Sequence, residues 1–148
     1  MPEAAGPSGY LLAFDFGRRR IGVAVGQTLT GQARPLVTLS AARGPDWPGL
    51  ERVVSEWRPA LLVVGLPLDA DGEETEMSKA ARAFGAELSR RTGTEVAYMD
   101  ERLSSHQAEG RFAELRAAGA ARRKHADQVD ALAAQIILEN WLQSRPDD

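Results

Sequence analysis

Between Tyr10 and Leu39 three short apolar runs follow one another with no helical stretch among them, and at Asp46 the period of the pattern changes. Few folds accommodate that order. Tyr10 to Phe16 ends in Asp15-Phe16-Gly17, Ile21 to Val25 is rich in β-branched residues with Gly22 and Gly26 around it, and Ala33 to Leu39 carries Pro35. Runs of this kind, joined by tight turns, predict three consecutive antiparallel strands, with proline favouring an edge position or a strand start. Leu50, Val53, Val54 and Trp57 then recur at helical spacing behind Asp46 and Pro48, and Pro59 closes that helix. Leu61 to Gly65 is a continuous apolar run, the pattern of a strand covered on both faces and paired in parallel. A second helix is predicted from about Thr75 to Arg91, with Met77, Ala80, Ala81, Phe84 and Leu88 as its buried stripe and Gly93 as its stop. Val96 to Met99 is a fifth strand, leading into Asp100-Glu101-Arg102. A helix opened by Ser104 or Ser105 runs to about Ala118, and a small basic loop covers Gly119 to Lys124. A last helix starts near Asp127, with Val129, Leu132, Ala133, Ile136, Ile137 and Trp141 on its apolar side.

This order predicts an α/β fold: a mixed five-stranded sheet, in which an antiparallel meander of three strands is extended by two parallel strands and flanked by helices. A chain of 148 residues fits one core. Residues 1–9 are expected to be a flexible N-terminal segment, 10–144 the domain and 145–148 a C-terminal tail. No apolar run reaches the roughly 18 residues that cross a membrane. Met1 to Gly9 lacks the pattern of a secretory signal, so a cytoplasmic location is expected. With no cysteine, disulfides, thiolate zinc sites and cysteine nucleophiles are excluded, which leaves carboxylates and two histidines as metal ligands. The net charge of −3 hides local clusters, Arg18-Arg19-Arg20, Arg90-Arg91 and Arg122-Arg123-Lys124, while acids gather elsewhere. A locally basic face on an acidic protein is compatible with a phosphate-bearing partner. Arg90-Arg91, at a helix end where cations suit the dipole, are read as solvated surface charge.

Three acids stand where chain geometry can unite them: Asp15 in the first strand, Glu101 after the last and Asp130 on the final helix. A carboxylate in an apolar strand carries a desolvation cost unless it is paired with an arginine or holds a metal. Glu101 taken alone reads as a solvated turn residue; its value lies in its company. Asp127 and Asp130 share one side of a helix, where Asp127 serves equally as a cap, whereas Asp130 interrupts the apolar pattern. Hard oxygen ligands drawn from several elements suit Mg²⁺ or Mn²⁺ rather than Zn²⁺. Two such ions, about 4 Å apart, promote in-line phosphodiester cleavage.

The segments Phe14-Asp15-Phe16-Gly17 with Arg20 to Val25, Val64 to Leu68 with Asp71-Gly72, Asp100 to Ser104, and Val129 to Ala134 occur in one order. Together they resemble the YqgF family, also described as RuvX-like Holliday-junction resolvases and pre-16S ribosomal RNA nucleases. The resemblance covers about Leu11 to Leu142. It implies a ribonuclease H-like fold and an acidic catalytic site at Asp15, Glu101 and Asp130, with Asp127 as a fourth candidate ligand. Arg18 stands where a small or hydroxylated residue is common in that family, and Ser105 where threonine is frequent. His125 and His106 read better as surface residues than as ligands.

The expected activity is divalent-metal-dependent hydrolysis of phosphodiester bonds in structured nucleic acid, either at the 5′ end of pre-16S rRNA or in branched DNA of the Holliday-junction type. Arg18, Arg19, Arg20, Arg102, Arg122, Arg123 and Lys124 are the candidate phosphate contacts, which give affinity without sequence reading. Symmetric incision of a junction requires a homodimer. An actin-like phosphotransferase is a rival reading, against which length and the lack of a Walker-type loop both argue. A non-catalytic nucleic-acid-binding or ribosome-assembly module on the same fold stays as the alternative.

Overall fold

The computed structural model describes residues 9–101 and 126–144, and for 126–128 the backbone alone. Among the described residues the strands are β1 (Tyr10–Phe16), β2 (Arg20–Gln27), β3 (Ala33–Ser40), β4 (Leu61–Leu66) and β5 (Val96–Asp100). The helices are α1 (Trp47–Trp57), α2 (Glu76–Thr92) and α3 (Ala126–Ser144). The five strands form one sheet in the order β3-β2-β1-β4-β5. β1 pairs antiparallel with β2, and β2 with β3, whereas β1 with β4 and β4 with β5 are parallel. The mixed sheet expected from the sequence is the one observed. The helix placed after Ser105 and the basic loop 119–124 lie outside the described residues.

Local chemistry accounts for the element ends. Asp46 caps α1 by accepting from the Gly49 amide at 3.1 Å. At its far end Arg58 turns left-handed (φ 47°), and its amide donates to the Val54 carbonyl just before Pro59. Thr75 and Ser78 close a reciprocal capping box at the start of α2, and Gly93 (φ 71°) ends it. Pro35 lies in edge strand β3, where a missing amide costs the sheet little, and the ladder with β2 shifts register between Val23 and Ala24 opposite it. The crossovers β1 to β4 and β4 to β5 run through α1 and α2, so both helices cover one face.

Each face has its own core, because alternate residues of a strand point to opposite sides. Leu12, Phe14, Ile21, Val23, Val25, Leu62 and Val64 meet Leu50, Val53, Val54, Ala81, Phe84 and Leu88 of α1 and α2. On the other face Leu11, Ala13, Val63 and Met99 meet Ile137 and Leu138 of α3. Two helix stripes differ from expectation. In α2, Ser78 and Gly85 are buried while Met77 and Ala80 are half-buried. In α3, Ala131, Ala134 and Leu138 are buried, whereas Val129, Leu132 and Trp141 stay half-buried. Small residues face the sheet there because α3 comes close to it. Gly22 and Gly26 both lie inside β2, buried, Gly22 close against the α3 backbone and Gly26 against Leu138.

Candidate acidic site

Asp15 is the sixth residue of β1, and its cross-strand partner is Gly22 of β2. On the other side Phe14 pairs with Val64 of β4, which sets Asp15 beside Gly65. The carboxylate therefore stands between two strands that carry no side chain at its level, on the face covered by α3. These glycines set the geometry. A Cβ on Gly22 would lie 2.0 Å from the Asp130 carbonyl oxygen and 2.8 Å from the Ala131 amide, so the backbone of α3 rests directly on β2 at this point. A Cβ on Gly65 would lie 2.8 Å from Glu101 Oε2 and 2.7 Å from Ile137 Cδ1. Glu101, directly after β5, reaches across β4 through the space that Gly65 leaves. Close packing at the two glycines thus delivers Asp130 and Glu101 to Asp15 from opposite sides.

The electrostatics record that convergence. The Asp15 carboxyl is pushed up from an ordinary 3.8 to about 8, first by burial, then by the negative charges of Glu101 and Asp130. Its surface is partly exposed, yet protein surrounds it closely enough for desolvation to dominate. Arg20, at the start of β2, donates from Nε to Asp130 Oδ2 at 2.6 Å. The three carboxylates feel one another, but among the described residues no three acidic or histidine side chains close into a ready ligand cage. A cluster of hard oxygen donors in which burial, and then mutual repulsion, holds one carboxyl protonated fits a divalent cation such as Mg²⁺ or Mn²⁺.

The remaining candidates divide. Arg18 and Arg19 are exposed in the β1–β2 turn beside the site, while Arg20 turns into it. The Asp127 backbone lies in the first turn of α3, but its side chain, with Arg102, Arg122, Arg123, Lys124, His106 and His125, lies outside the described residues. Arg90 and Arg91 pair with Glu87, and Arg91 also reaches Glu51 of α1 at 3.2 Å and lies 4.4 Å over the Trp47 ring. Arg90 thus stands solvated at the helix end as expected, whereas Arg91 bridges α2 to α1. Sequence reading missed Gly22 and Gly65 as site residues. Glycine inside a run that otherwise reads as a strand was the available signal, since such a position marks close approach of another backbone or side chain.

A family model described as RuvX, Holliday junction resolvase, matches residues 9–144. The chain belongs to that family. Among its relatives, a protein of Azotobacter vinelandii is 51% identical over 138 residues, covering 92% of this chain and 94% of its own length. One from Xanthomonas campestris pv. campestris is 50% identical over 145 residues, covering 96% and 94%. One from Pseudomonas aeruginosa is 48% identical over 143 residues, covering 95% and 96%. Each is named "Putative pre-16S rRNA nuclease". The RuvX family is thus a family of nucleases. Among solved structures, Thermus thermophilus RuvC in complex with Holliday junction substrate superposes with a TM-score of 0.57 at 15% identity, over 93% of this chain and 95% of that one. A second Thermus thermophilus RuvC structure gives 0.53. At that identity the likeness is one of fold, and the fold is ribonuclease H-like, as the sequence led us to expect. No helix among the described residues is long and apolar enough to cross a membrane.

Proposed function

We propose that this RuvX-family protein is a divalent-metal-dependent nuclease that hydrolyses phosphodiester bonds of structured nucleic acid in the cytoplasm, with the 5′ end of pre-16S rRNA as its foremost substrate. The observation that carries this reading is the convergence of Asp15, Glu101 and Asp130 on one face, at the two positions where Gly22 and Gly65 make room. The rRNA substrate is favoured by relatives that share about half their residues with this chain over nearly full length and carry that name. The family description favours a second substrate, a four-way DNA junction, for which symmetric incision needs two copies of the chain.

In this reading Asp15, Glu101 and Asp130 hold Mg²⁺ or Mn²⁺, with Asp127 as an additional ligand. When bound, the metal supplies Lewis-acid activation of water and charge neutralisation at the phosphate. The chain does the rest by position. Asp15, packed on β1, fixes one oxygen ligand rigidly, because its strand is paired on both sides. Ionisation of Asp15 is opposed first by burial and then by its acidic neighbours, so cation binding and proton release at this carboxyl are coupled. Arg18 and Arg19, exposed beside the site, contact backbone phosphates, together with Arg20, Arg102, Arg122, Arg123 and Lys124. Such contacts select for shape and charge rather than base sequence.

The test is cleavage of labelled pre-16S rRNA, unstructured single-stranded RNA and four-way DNA junctions in Mg²⁺ or Mn²⁺, by the parent and by Asp15→Asn, Glu101→Gln and Asp130→Asn. All three variants are expected to bind substrate and to lose cleavage. Undiminished cutting by all three removes the acidic site from the chemistry. A parent that binds but never cuts any of them favours the binding-module alternative.

A further inference from the structure

The site also brings a cation against its carboxylates. Asp15, Glu101 and Asp130 are anionic ligands, yet Asp130 Oδ2 already accepts a 2.6 Å hydrogen bond from a cationic guanidinium. We propose that Arg20 acts as a built-in counter-cation, neutralising the Asp130 carboxylate and yielding that oxygen when a divalent cation enters. The inference rests on the reading of the carboxylates as metal ligands.

The bond itself is short and charge-assisted, but two features support a replaceable partner over a permanent brace. The side chains are 40% exposed for Arg20 and 24% for Asp130, so solvent and ions reach the pair and exchange costs less than in a sealed core. The backbone of Asp130 is fixed independently, since its carbonyl rests on Gly22, two residues after Arg20 in the same strand. Asp130 therefore keeps its place when the guanidinium leaves, and only the partner of its carboxylate changes. A brace would have the reverse logic: removing Arg20 would loosen Asp130 and weaken cation binding.

The two roles predict opposite signs. By titration calorimetry the parent binds Mn²⁺, and Arg20→Gln binds it about tenfold more tightly, because the competing charge is gone. In an Asp130→Asn background the same substitution changes affinity less than about twofold, which ties the effect to this pair rather than to net charge. Without any substitution, the Arg20 Nε–H resonance of the full chain shifts and saturates as Mg²⁺ is added, reporting the broken bond. Unchanged or weaker Mn²⁺ binding by Arg20→Gln, or an Nε–H signal indifferent to saturating Mg²⁺, overturns the exchange. If the parent itself binds no Mn²⁺ and no Mg²⁺, the metal-site reading fails first and takes this inference with it, an outcome distinct from failure of the exchange alone.

Discussion

The two faces of the sheet solve different problems with the same strands. Against α1 and α2 the strands present large side chains, Leu12, Phe14, Ile21, Val23, Leu62 and Val64, and the contact is thick and apolar. Against α3 the same strands still bury Leu11, Val63 and Met99, but Ala13, Gly22, Ala24, Gly26 and Gly65 lie among them, and at Gly22 the helix settles almost onto the backbone. Bulk on the first face supplies burial, at about 25 cal/mol per Å² of apolar surface. Smallness on the second forgoes some of that burial and gains proximity, so that polar groups on α3 and β5 reach a carboxylate in mid-sheet. On the function proposed above, stability and chemistry fall largely to opposite sides of one layer.

Substitutions on each face break or sharpen that division. The largest effect is expected for Asp15→Asn, which should lower cleavage about a thousandfold while the protein stays folded. The same variant tests the pH behaviour. Because the folded protein holds the Asp15 proton up to about pH 8 while the unfolded chain releases it near 3.8, this group's stabilising contribution is complete below 3.8 and is lost as pH rises towards 8. In chelator, denaturant titrations from pH 5 to 8 should therefore show the parent losing on the order of a few kcal/mol relative to Asp15→Asn. A parent that gains on the variant over that range contradicts the buried, crowded carboxyl.

Gly22→Val is next. With backbone of α3 2.0 Å from the new Cβ, the helix must lift, costing about 3 kcal/mol and separating Asp130 from Asp15, so stability and cleavage should fall together. Leu88→Ala, fully buried on the opposite face, should cost a similar amount, about 3 kcal/mol by urea unfolding. Below its melting point, however, its Mn²⁺ affinity should match the parent's. Equal loss of affinity in both variants would erase the distinction between the faces. The smallest effect is expected for Gly65→Ala, whose methyl meets the side chains of Ile137 and Glu101 first. A stability cost of about 1 kcal/mol with a tenfold drop in cleavage would show Glu101 displaced rather than the fold disturbed.

Much of this architecture was legible in one dimension because it depends on periods. The meander, the doubly covered run Leu61 to Gly65 and the caps at Asp46, Thr75 and Gly93 are local patterns that tertiary contacts had only to accept. Asp15 and Asp130 stood out for the same reason, each being a charge set in an apolar pattern. Arg20 and Arg91 carry no comparable mark: nothing local distinguishes a phosphate contact from a bond to Asp130, or a solvated helix end from a clamp onto Glu51 and Trp47.

The sequence by itself determined the order and type of the elements and which acids were out of place, since hydrophobic periodicity and desolvation cost act within a few residues. Only the tertiary structure decided that Gly22 and Gly65 are the floor of the site, that Arg20 holds Asp130 across 110 residues of chain, and that the carboxyl of Asp15 keeps its proton to about pH 8. Those facts depend on distances of a few ångströms between segments far apart in the chain. Such distances are set when α3 packs on the sheet, and no spacing along the chain encodes them.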